Sequence, residues 1–502
     1  MTWNEGYVSD IDYTFGFYRE LSPSWIDFAT LLRGINHTYN SDRFTYCELA
    51  CGQGLTSNLL AACYPTGEFY ANDYNPQHIV TARSLAEGAG LTNIRFYEDS
   101  FKEFVERDLP EFDFICLHGI YSWISKENRQ AIVNFVRKNL KPGGVVYVSY
   151  NCMPGWAAAT PMQYLMLWQS RRTTGNIAEK LNSAIELNKK MIELNAGYFV
   201  QNPSLKNRYE RFSNLDRQYL IHEYFNEHWQ ALYFQQVAEE MKEAKLSFVA
   251  SASILEQVDN LTIPPQLLPL YNTITEVLDR EQMKDFMINA QFRRDLFYRG
   301  VGKLAGSEHF QLLQNQRFIL IVQPKDVKYE QTFTAGQVKL QEQTYQPIVE
   351  ALKDNVLSFG EMMQKFKGIT PQNLFQALVV LCGLSYVHPV VDRYEERKAV
   401  TDKINRFIIE RSPHLVQLSF LASPVIGSGI TVNRVEQLFL LANYQQKNPV
   451  DFSWQILSSQ NQKLVTEGKV LETPEENIAH LQKAYEEFNL NRLTLLQKLG
   501  VI

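Results

Sequence analysis

Residues 43–54 read RFTYCELACGQG, a short β-rich run that leads into a glycine-containing loop and an apolar helical stretch. Gly52 and Gly54 lack a Cβ, so the loop can turn tightly and approach a ligand closely. Further β-rich runs alternate with helix-like stretches as far as residue 151: GEFYANDY (67–74), NIRFYEDS (93–100), EFDFICLHG (111–119) and GGVVYVSYN (143–151). This alternation predicts an α/β fold with a doubly wound, mostly parallel sheet, whose ligand lies at the carboxyl ends of the strands.

The residues around the glycine loop indicate which ligand it binds. A G-x-G-x-x-G dinucleotide fingerprint matches poorly, because it would need glycine at position 50 or at position 57, where the chain has Ala50 and Ser57. Glu48 ends the first strand, where its carboxylate would repel a diphosphate. The same carboxylate suits a ligand with an ammonium or sulfonium charge.

Two more acidic residues follow the next two predicted strands. Asp73 ends the second strand, a position where a carboxylate accepts hydrogen bonds from ribose hydroxyls. Asp99 ends the third strand and can accept one from an adenine amino group. A glycine loop alone is often only structural, but three acids at successive strand ends favour an adenosyl ligand.

Four motifs resemble those of class I S-adenosylmethionine-dependent methyltransferases and cover about residues 40–151: E-L-A-C-G-Q-G (48–54), N-D-Y (72–74), E-D-S-F (98–101) and L-K-P-G-G (140–144). The family usually has glycine at the position of Ala50. The resemblance implies a Rossmann-like fold, S-adenosyl-L-methionine as cofactor and S-adenosyl-L-homocysteine as product. It also implies the cofactor-binding residues, with the first two forming a lid: Tyr13, Tyr18, Glu48, Ala50, Gly52, Gly54, Asp73, Tyr74, Asp99, Ser100, Phe101 and His118.

Three further segments narrow the resemblance: YTFGFYRELSP (13–23), HGIYSWIS with VSYNCMPGW (118–125 and 148–156), and the stretch 219–250. Together they resemble bacterial methyltransferases with a methyltransferase regulatory domain, over about residues 10–330. That group includes protein-lysine methyltransferases that act on outer-membrane proteins. The resemblance therefore implies lysine side chains of a protein as the methyl acceptor.

The loops after the fourth and fifth strands are expected to face the methyl group. Tyr121, Trp123, Tyr150 and Trp156 are candidates for the wall of an acceptor channel, because an apolar site favours the neutral, reactive form of a lysine amine. Asn151 could accept a hydrogen bond from that amine. The alternative is that these aromatic residues only cap the sheet, just as the lid residues could form a simple packing helix.

No metal site is expected. His222-Glu223 with His228 lacks the H-E-x-x-H spacing that places two histidines on one helix face.

Beyond the first strands the chain is expected to divide into several regions. Strand-like runs at 245–254 and 316–324 are read as completing the same sheet, and 325–345 as a polar linker. The predicted regions are a cofactor-binding core (1–160), a helical insertion (161–242), completion of the core sheet (243–330), a winged-helix-like domain (331–400) and a helical C-terminal domain (401–502). The third helix predicted in the winged-helix-like domain, 371–382, contains no Lys or Arg. A protein-binding or homodimer role is therefore expected there instead of DNA binding.

Composition bounds the function further. The 502 residues carry 49 Lys plus Arg against 55 Asp plus Glu, a net charge of −6, which gives no general attraction to nucleic acid. The six cysteines show no clustered spacing, and no signal peptide or membrane-spanning stretch is evident, so a cytoplasmic protein without membrane insertion is expected. Protein-lysine methylation is the predicted reaction. The alternatives are small-molecule O- or N-methylation and a catalytically silent adapter that binds the cofactor.

Overall fold

A seven-stranded sheet forms the centre of the cofactor-binding part of the computed structural model, which describes residues 5–36, 43–300, 302–466 and 468–502. Its strands lie in the order β3-β2-β1-β4-β5-β7-β6. Among these seven strands, β7 runs in the direction opposite to the other six. This confirms the predicted fold class. The strands are β1 (Thr45–Leu49), β2 (Glu68–Asp73), β3 (Ile94–Glu98), β4 (Phe112–Leu117), β5 (Leu140–Asn151), β6 (Leu246–Ser251) and β7 (Phe292–Arg299).

The register of the first strands gathers their carboxyl ends at one edge. Leu49 pairs with Asn72 of β2 on one side and with Leu117 of β4 on the other, so the loops that follow these three strands lie together. Local signals fix where the following helices begin: the Asn75 side chain caps α3, and Ser100 with Glu103 forms a capping box at α4. The helices of this part are α1 (Pro23–Leu31), α2 (Leu55–Cys63), α3 (Pro76–Gly88), α4 (Phe101–Glu106) and α5 (Lys126–Asn139).

The region after β5 is helical, as predicted. Its helices are α6 (Thr160–Arg172), α7 (Ile177–Glu193), α8 (Gly197–Gln201), α9 (Ser204–Glu210), α10 (Arg217–Phe225) and α11 (Phe234–Glu243). The segment that follows α10 returns to the central sheet, where the backbone N–H of Leu232 donates to the carbonyl oxygen of Asn151 at 2.9 Å. The helical region therefore packs against the edge that carries the candidate site.

The prediction that residues 316–324 complete the central sheet is wrong. Their strand, β8 (Arg317–Leu320), belongs to a separate three-stranded antiparallel sheet, and β7 takes the place in the central sheet. The sequence does not predict β7, because its residues, FRRDLFYR, include four charged side chains, which are rare in a central strand. Arg293 is nevertheless buried there, in ion pairs with Asp285, Asp295 and Glu281. The helices between β6 and β8 are α12 (Asp259–Thr262), α13 (Leu268–Tyr271), α14 (Val277–Ile288) and α15 (Gly306–Asn315).

The winged-helix-like unit contains β8 as well as the predicted helices. The remaining elements are β9 (Glu330–Phe333), β10 (Gly336–Lys339), α16 (Glu342–Asp354), β11 (Leu357–Ser358), α17 (Phe359–Lys365), α18 (Pro371–Gly383) and β12 (Val387–Pro389). Because β8 is the middle strand of the sheet β11-β8-β12, this unit begins before the predicted boundary at residue 331. The expected linker at 325–345 contains the hairpin β9–β10, whose polar, half-exposed strands gave no apolar alternation to recognise.

The C-terminal region is mostly helical and packs against the start of the chain. Ser428 is 2.7 Å from Ser22 between side-chain oxygens, and Ser24 donates to the carbonyl of Ile426 at 2.9 Å. Its elements are α19 (Lys398–Arg411), β13 (Phe420–Ser423), β14 (Ser428–Thr431), α20 (Arg434–Tyr444), α21 (Pro449–Ser459), β15 (Val465–Thr466), β16 (Lys469–Val470), α22 (Pro474–Glu487) and α23 (Leu493–Lys498). In the part of the chain that the structure describes, no helix is both long and apolar enough to cross a membrane.

Candidate active site

The glycine loop between β1 and α2 adopts the backbone that its sequence predicted. Gly52 and Gly54 have φ angles of +54° and +71°, a region that side chains disfavour. A Cβ placed on Gly54 would lie 2.5 Å from the Cβ of Ala82, so this glycine also allows α2 to approach α3. Ala50 has a φ of +55°, which costs strain that a glycine would avoid.

Asp73 connects the loop to the end of β2. Its buried carboxylate accepts hydrogen bonds from the backbone N–H of Gly52 at 3.0 Å and of Asn75 at 2.9 Å. His78 Nδ1 lies 3.2 Å from the same carboxylate, and His78 Nε2 accepts from the Tyr13 N–H at 3.2 Å. The proton of the imidazole therefore resides on Nδ1. This histidine, which the sequence analysis missed, joins the lid segment to the predicted ribose-binding acid.

Two adjoining cavities lie over this edge of the sheet. They share Tyr13, Ala50, Gly52 and His118 as lining residues, so they form one elongated cleft. All predicted cofactor-binding residues line it: Tyr13, Tyr18, Glu48, Ala50, Gly52, Gly54, Asp73, Tyr74, Asp99, Ser100, Phe101 and His118. Lining residues that were not predicted include Tyr7, Asn72, His78 and Asn128.

Glu48 places a buried carboxyl group at the smaller end of the cleft. Burial raises the pKa of this carboxyl group to about 7, although a hydrogen bond from the Ser57 hydroxyl opposes the shift. A positively charged ligand group beside it would favour the ionised form and lower that pKa. The site thus fits the ammonium and sulfonium charges of S-adenosylmethionine and does not suit a diphosphate.

Asp99 lies at the opposite end of the cleft. Its carboxylate is buried and is held by the Arg107 guanidinium, with Arg107 Nη2 2.8 Å from Asp99 Oδ1. Ser100 caps α4 through its hydroxyl and so fixes the turn that presents Asp99 and Phe101 to the cleft. The position agrees with contact to an adenine ring, which remains a prediction.

His118 and Tyr18 form the wall of the cleft where its two cavities meet. Their rings stack with centroids 3.6 Å apart, and Tyr147 places its hydroxyl 2.8 Å from His118 Nδ1. Burial, with a smaller effect of Arg294, lowers the pKa of His118 to about 3. The imidazole is therefore neutral at physiological pH and does not repel a sulfonium.

The predicted acceptor residues divide into two groups. Trp123 lines the cleft, and its ring lies 5.8 Å from that of Tyr13. Tyr121, Tyr150 and Trp156 line neither cavity of the cleft, so the structure does not place them in its wall. Instead they fill the core around the sheet, which is the alternative that the sequence left open.

Each of these three side chains has a partner elsewhere. Tyr121 donates to Glu240 and Tyr150 to Asp295. The Trp156 ring lies 4.7 Å from that of Trp229, in the helical region. The direction of a side chain at a strand end depends on pleat and loop geometry, which residue types do not reveal.

Asn151 also lines neither cavity of the cleft; it is buried at the end of β5, where helix α10 faces it. Its side-chain Nδ2 donates to Glu223 Oε1 at 2.7 Å, and its backbone N–H donates to the Ser122 hydroxyl at 2.8 Å. His222, the preceding residue, packs its ring against Tyr7 and Tyr13, with centroids 5.5 and 5.1 Å apart. From the sequence, His222 and Glu223 were candidates only for a metal site, which their spacing to His228 does not fit. Across the described ranges, no cluster of three His, Cys, Asp or Glu side chains could hold a metal ion.

A family model described as a methyltransferase domain matches residues 40–215, and one described as a predicted methyltransferase regulatory domain matches residues 216–299. The chain belongs to the methyltransferases that carry this regulatory domain. It is an S-adenosylmethionine-dependent methyltransferase, whose cofactor fits the cleft lined by Glu48, Asp73 and Asp99.

Similar proteins extend over the whole chain. A protein of Synechocystis sp. (strain ATCC 27184 / PCC 6803 / Kazusa), described as uncharacterized, is 49% identical over 505 residues, which cover 100% of both chains. An uncharacterized protein of Rickettsia prowazekii is 27% identical over 284 residues, 56% of this methyltransferase and 50% of that protein. The structure of PKMT2 from Rickettsia typhi in complex with AdoHcy is 18% identical with a TM-score of 0.67 and covers 95% of this chain and 98% of its own. That likeness confirms the fold.

Proposed function

We propose that this methyltransferase methylates lysine side chains of a protein substrate. S-adenosylmethionine supplies an electrophilic methyl group on a sulfonium, which a neutral amine attacks in line with the departing sulfur. The protein has to bind both partners, align the amine and keep water from the reaction. Support comes from the sequence resemblance to protein-lysine methyltransferases and from the shape of the surface beside the cleft.

The cofactor side of this proposal assigns one role to each strand end. Asp73 would accept the ribose hydroxyls, Asp99 the adenine amino group, and Glu48 the ammonium of the methionine end. Tyr13 and Tyr18 share a hydrogen bond and cover the middle of the cleft. These roles account for three buried carboxylates around one cleft.

The observation that carries the lysine proposal is a surface groove that extends to the neighbourhood of the lid residue Tyr18. We call it the lateral groove; its lining includes Gly155, Arg208, Arg211, Tyr219, Tyr224 and Gln291. Burial, with smaller effects of Glu223, Tyr224 and the lid residue Tyr18, raises the pKa of the Tyr219 phenol, so Tyr219 lies near the lid. A groove that is open to solvent suits a side chain that extends from a macromolecule better than an enclosed small molecule.

Labelled methyl transfer tests the proposal. The protein is incubated with tritiated S-adenosylmethionine and a lysate of cells that lack it, and the products are separated by gel and by size filtration. We expect labelled protein bands that yield methyllysine after acid hydrolysis. Label only in small molecules would refute protein methylation, and cofactor binding without any labelled product would favour the adapter alternative.

A further inference from the structure

We propose that the carboxylate of Glu223, together with the side chain of Asn151, receives the acceptor amine and removes its proton before methyl transfer. This inference rests on the proposed lysine methylation. It adds to the active site a residue from α10, within the segment that the regulatory-domain model matches.

Glu223 is buried next to Trp123, one of the residues that line the cleft. Only 3% of its surface is exposed, and its Oε1 accepts from Asn151 Nδ2 at 2.7 Å and from Trp229 Nε1 at 3.1 Å. Two neutral donors do not neutralise a carboxylate. A buried carboxylate without a cation bonded to it is costly unless a positive ligand completes the site.

Aromatic rings surround this carboxylate on the sides from which a ligand would come. Trp123 lies on the side of the cofactor cleft, and Trp229 donates to Glu223 from the helical region. Tyr219 and Tyr224, five positions apart on α10, line the lateral groove. Aromatic faces and a carboxylate together bind an alkylammonium through cation–π attraction and charge, as a lysine side chain requires.

The charges that face Glu223 leave it able to act as a base. Burial raises the pKa of Glu223 to about 7, against the lowering effects of Trp229, Asn151 and, from α9, the Arg208 guanidinium. On α10 itself, burial keeps the Tyr224 phenol neutral by raising its pKa to about 12, and it raises the pKa of the Tyr219 phenol further still. Burial also lowers the pKa of His222 to about 4, so that ring is neutral. Above pH 7 the Glu223 carboxylate is ionised and can accept a proton.

The proposed step balances in atoms and charge. The lysine ammonium gives one proton to Glu223, and its nitrogen lone pair forms a bond to the methyl carbon while the carbon–sulfur bond breaks. The sulfur keeps that electron pair, so S-adenosylhomocysteine leaves neutral and the methylated amine carries the positive charge. Glu223 then releases its proton to solvent.

The test compares Glu223→Gln with Glu256→Gln, a half-buried glutamate outside the cleft that accepts from Ser251 at 2.6 Å. Methyllysine formation is measured on the full chain with tritiated S-adenosylmethionine and subsaturating lysate acceptor between pH 6 and 10. At pH 8 we expect Glu223→Gln to lose about 100-fold in rate, the scale of general-base catalysis, and Glu256→Gln to lose less than about 3-fold. S-adenosylhomocysteine affinity should stay within about 3-fold in both variants, as for a residue outside the cofactor contacts.

The pH profile separates a base from a structural residue. The wild-type rate should rise through pH 7 and then level, because Glu223 is ionised above its pKa. The Glu223→Gln rate should rise steadily to pH 10, because only free lysine that has lost its own proton would react. A wild-type profile without the rise near pH 7, or unchanged rate in the variant, would overturn the assignment.

Two further measurements keep the result unambiguous. If Glu223→Gln does not fold, judged by thermal unfolding, Glu223→Asp decides: a lower rate with the same rise near pH 7 supports the base, and loss of that rise overturns it. Absence of methyllysine with wild-type protein would refute the proposed function itself, whereas wild-type activity with an unaffected variant refutes only the role of Glu223.

Discussion

The two glycines of the loop after β1 should respond differently to the same substitution. Both have left-handed φ angles, +54° at Gly52 and +71° at Gly54. A Cβ on Gly54 would lie 2.5 Å from Ala82 Cβ and 3.0 Å from the Phe96 ring. A Cβ on Gly52 would have Tyr13 as its nearest neighbour, at 4.0 Å. Gly54→Ala should therefore destabilise the fold more than Gly52→Ala.

The expected magnitudes follow from three contributions. A left-handed residue with a Cβ costs about 1–2 kcal/mol, and this cost is common to both variants. Overpacking adds about 1–3 kcal/mol, and only Gly54→Ala incurs it. Alanine also returns about 0.4–1 kcal/mol by reducing the entropy of the unfolded chain, equally in both. The free energy of unfolding of Gly54→Ala should thus lie about 1–3 kcal/mol below that of Gly52→Ala.

Urea unfolding and calorimetry with S-adenosylhomocysteine on the same preparations test this reasoning. Because Gly52 lines both cavities of the cleft, Gly52→Ala should weaken cofactor affinity more than its small loss of stability suggests. Equal stability of the two variants would refute the packing argument at Gly54. Unchanged affinity in Gly52→Ala would show that the loop backbone does not approach the cofactor.

Three further outcomes can be measured with the same methods. Asp73→Ala should weaken S-adenosylhomocysteine binding by about 10- to 150-fold in calorimetry, since charge-assisted hydrogen bonds contribute about 1.5–3 kcal/mol; wild-type affinity would contradict the ribose assignment. Ala50→Gly should raise the free energy of unfolding by up to about 1 kcal/mol in urea, because relief of about 1–2 kcal/mol of left-handed strain exceeds the added unfolded-state entropy; a loss of stability would contradict it. Removal of residues 335–502 should abolish soluble expression or cofactor binding, because the C-terminal region covers the apolar sides of α2 and Phe17; a stable, binding fragment would show that the tail is separable.

The expected effect of removing residues 335–502 is the opposite of what the sequence indicated for this region. A polar stretch at 325–345 looked like a linker, which would allow the parts on either side to separate. The structure has a hairpin there, and one hydrophobic core includes Trp25, Leu60 and Ile426 from both ends of the chain. Which distant segments pack against each other cannot be read from the hydrophobic pattern of either segment alone.

The cofactor half of the site could be read from the sequence because its chemistry is local. Strand ends of a parallel sheet meet at one edge, so Glu48, Asp73 and Asp99 were expected together once their strands were recognised. Glycine spacing likewise reports a backbone conformation directly. These signals depend only on the residue types and their positions within one strand–loop–helix unit, so they can be read without knowledge of the tertiary structure.

The acceptor half was decided by tertiary structure. Tyr121 and Tyr150 stand beside Trp123 and Asn151 in the sequence, yet they point into the core toward Glu240 and Asp295. Glu223 lies 72 positions from Asn151 and reaches it only because α10 packs over the end of β5. The sequence by itself determined the five parallel strands β1–β5, the glycine loop and the cofactor. The packing of distant segments decided that β7 enters the sheet and which side chains lie at the end of β5, because pleat direction and long-range burial arise only when the segments come together.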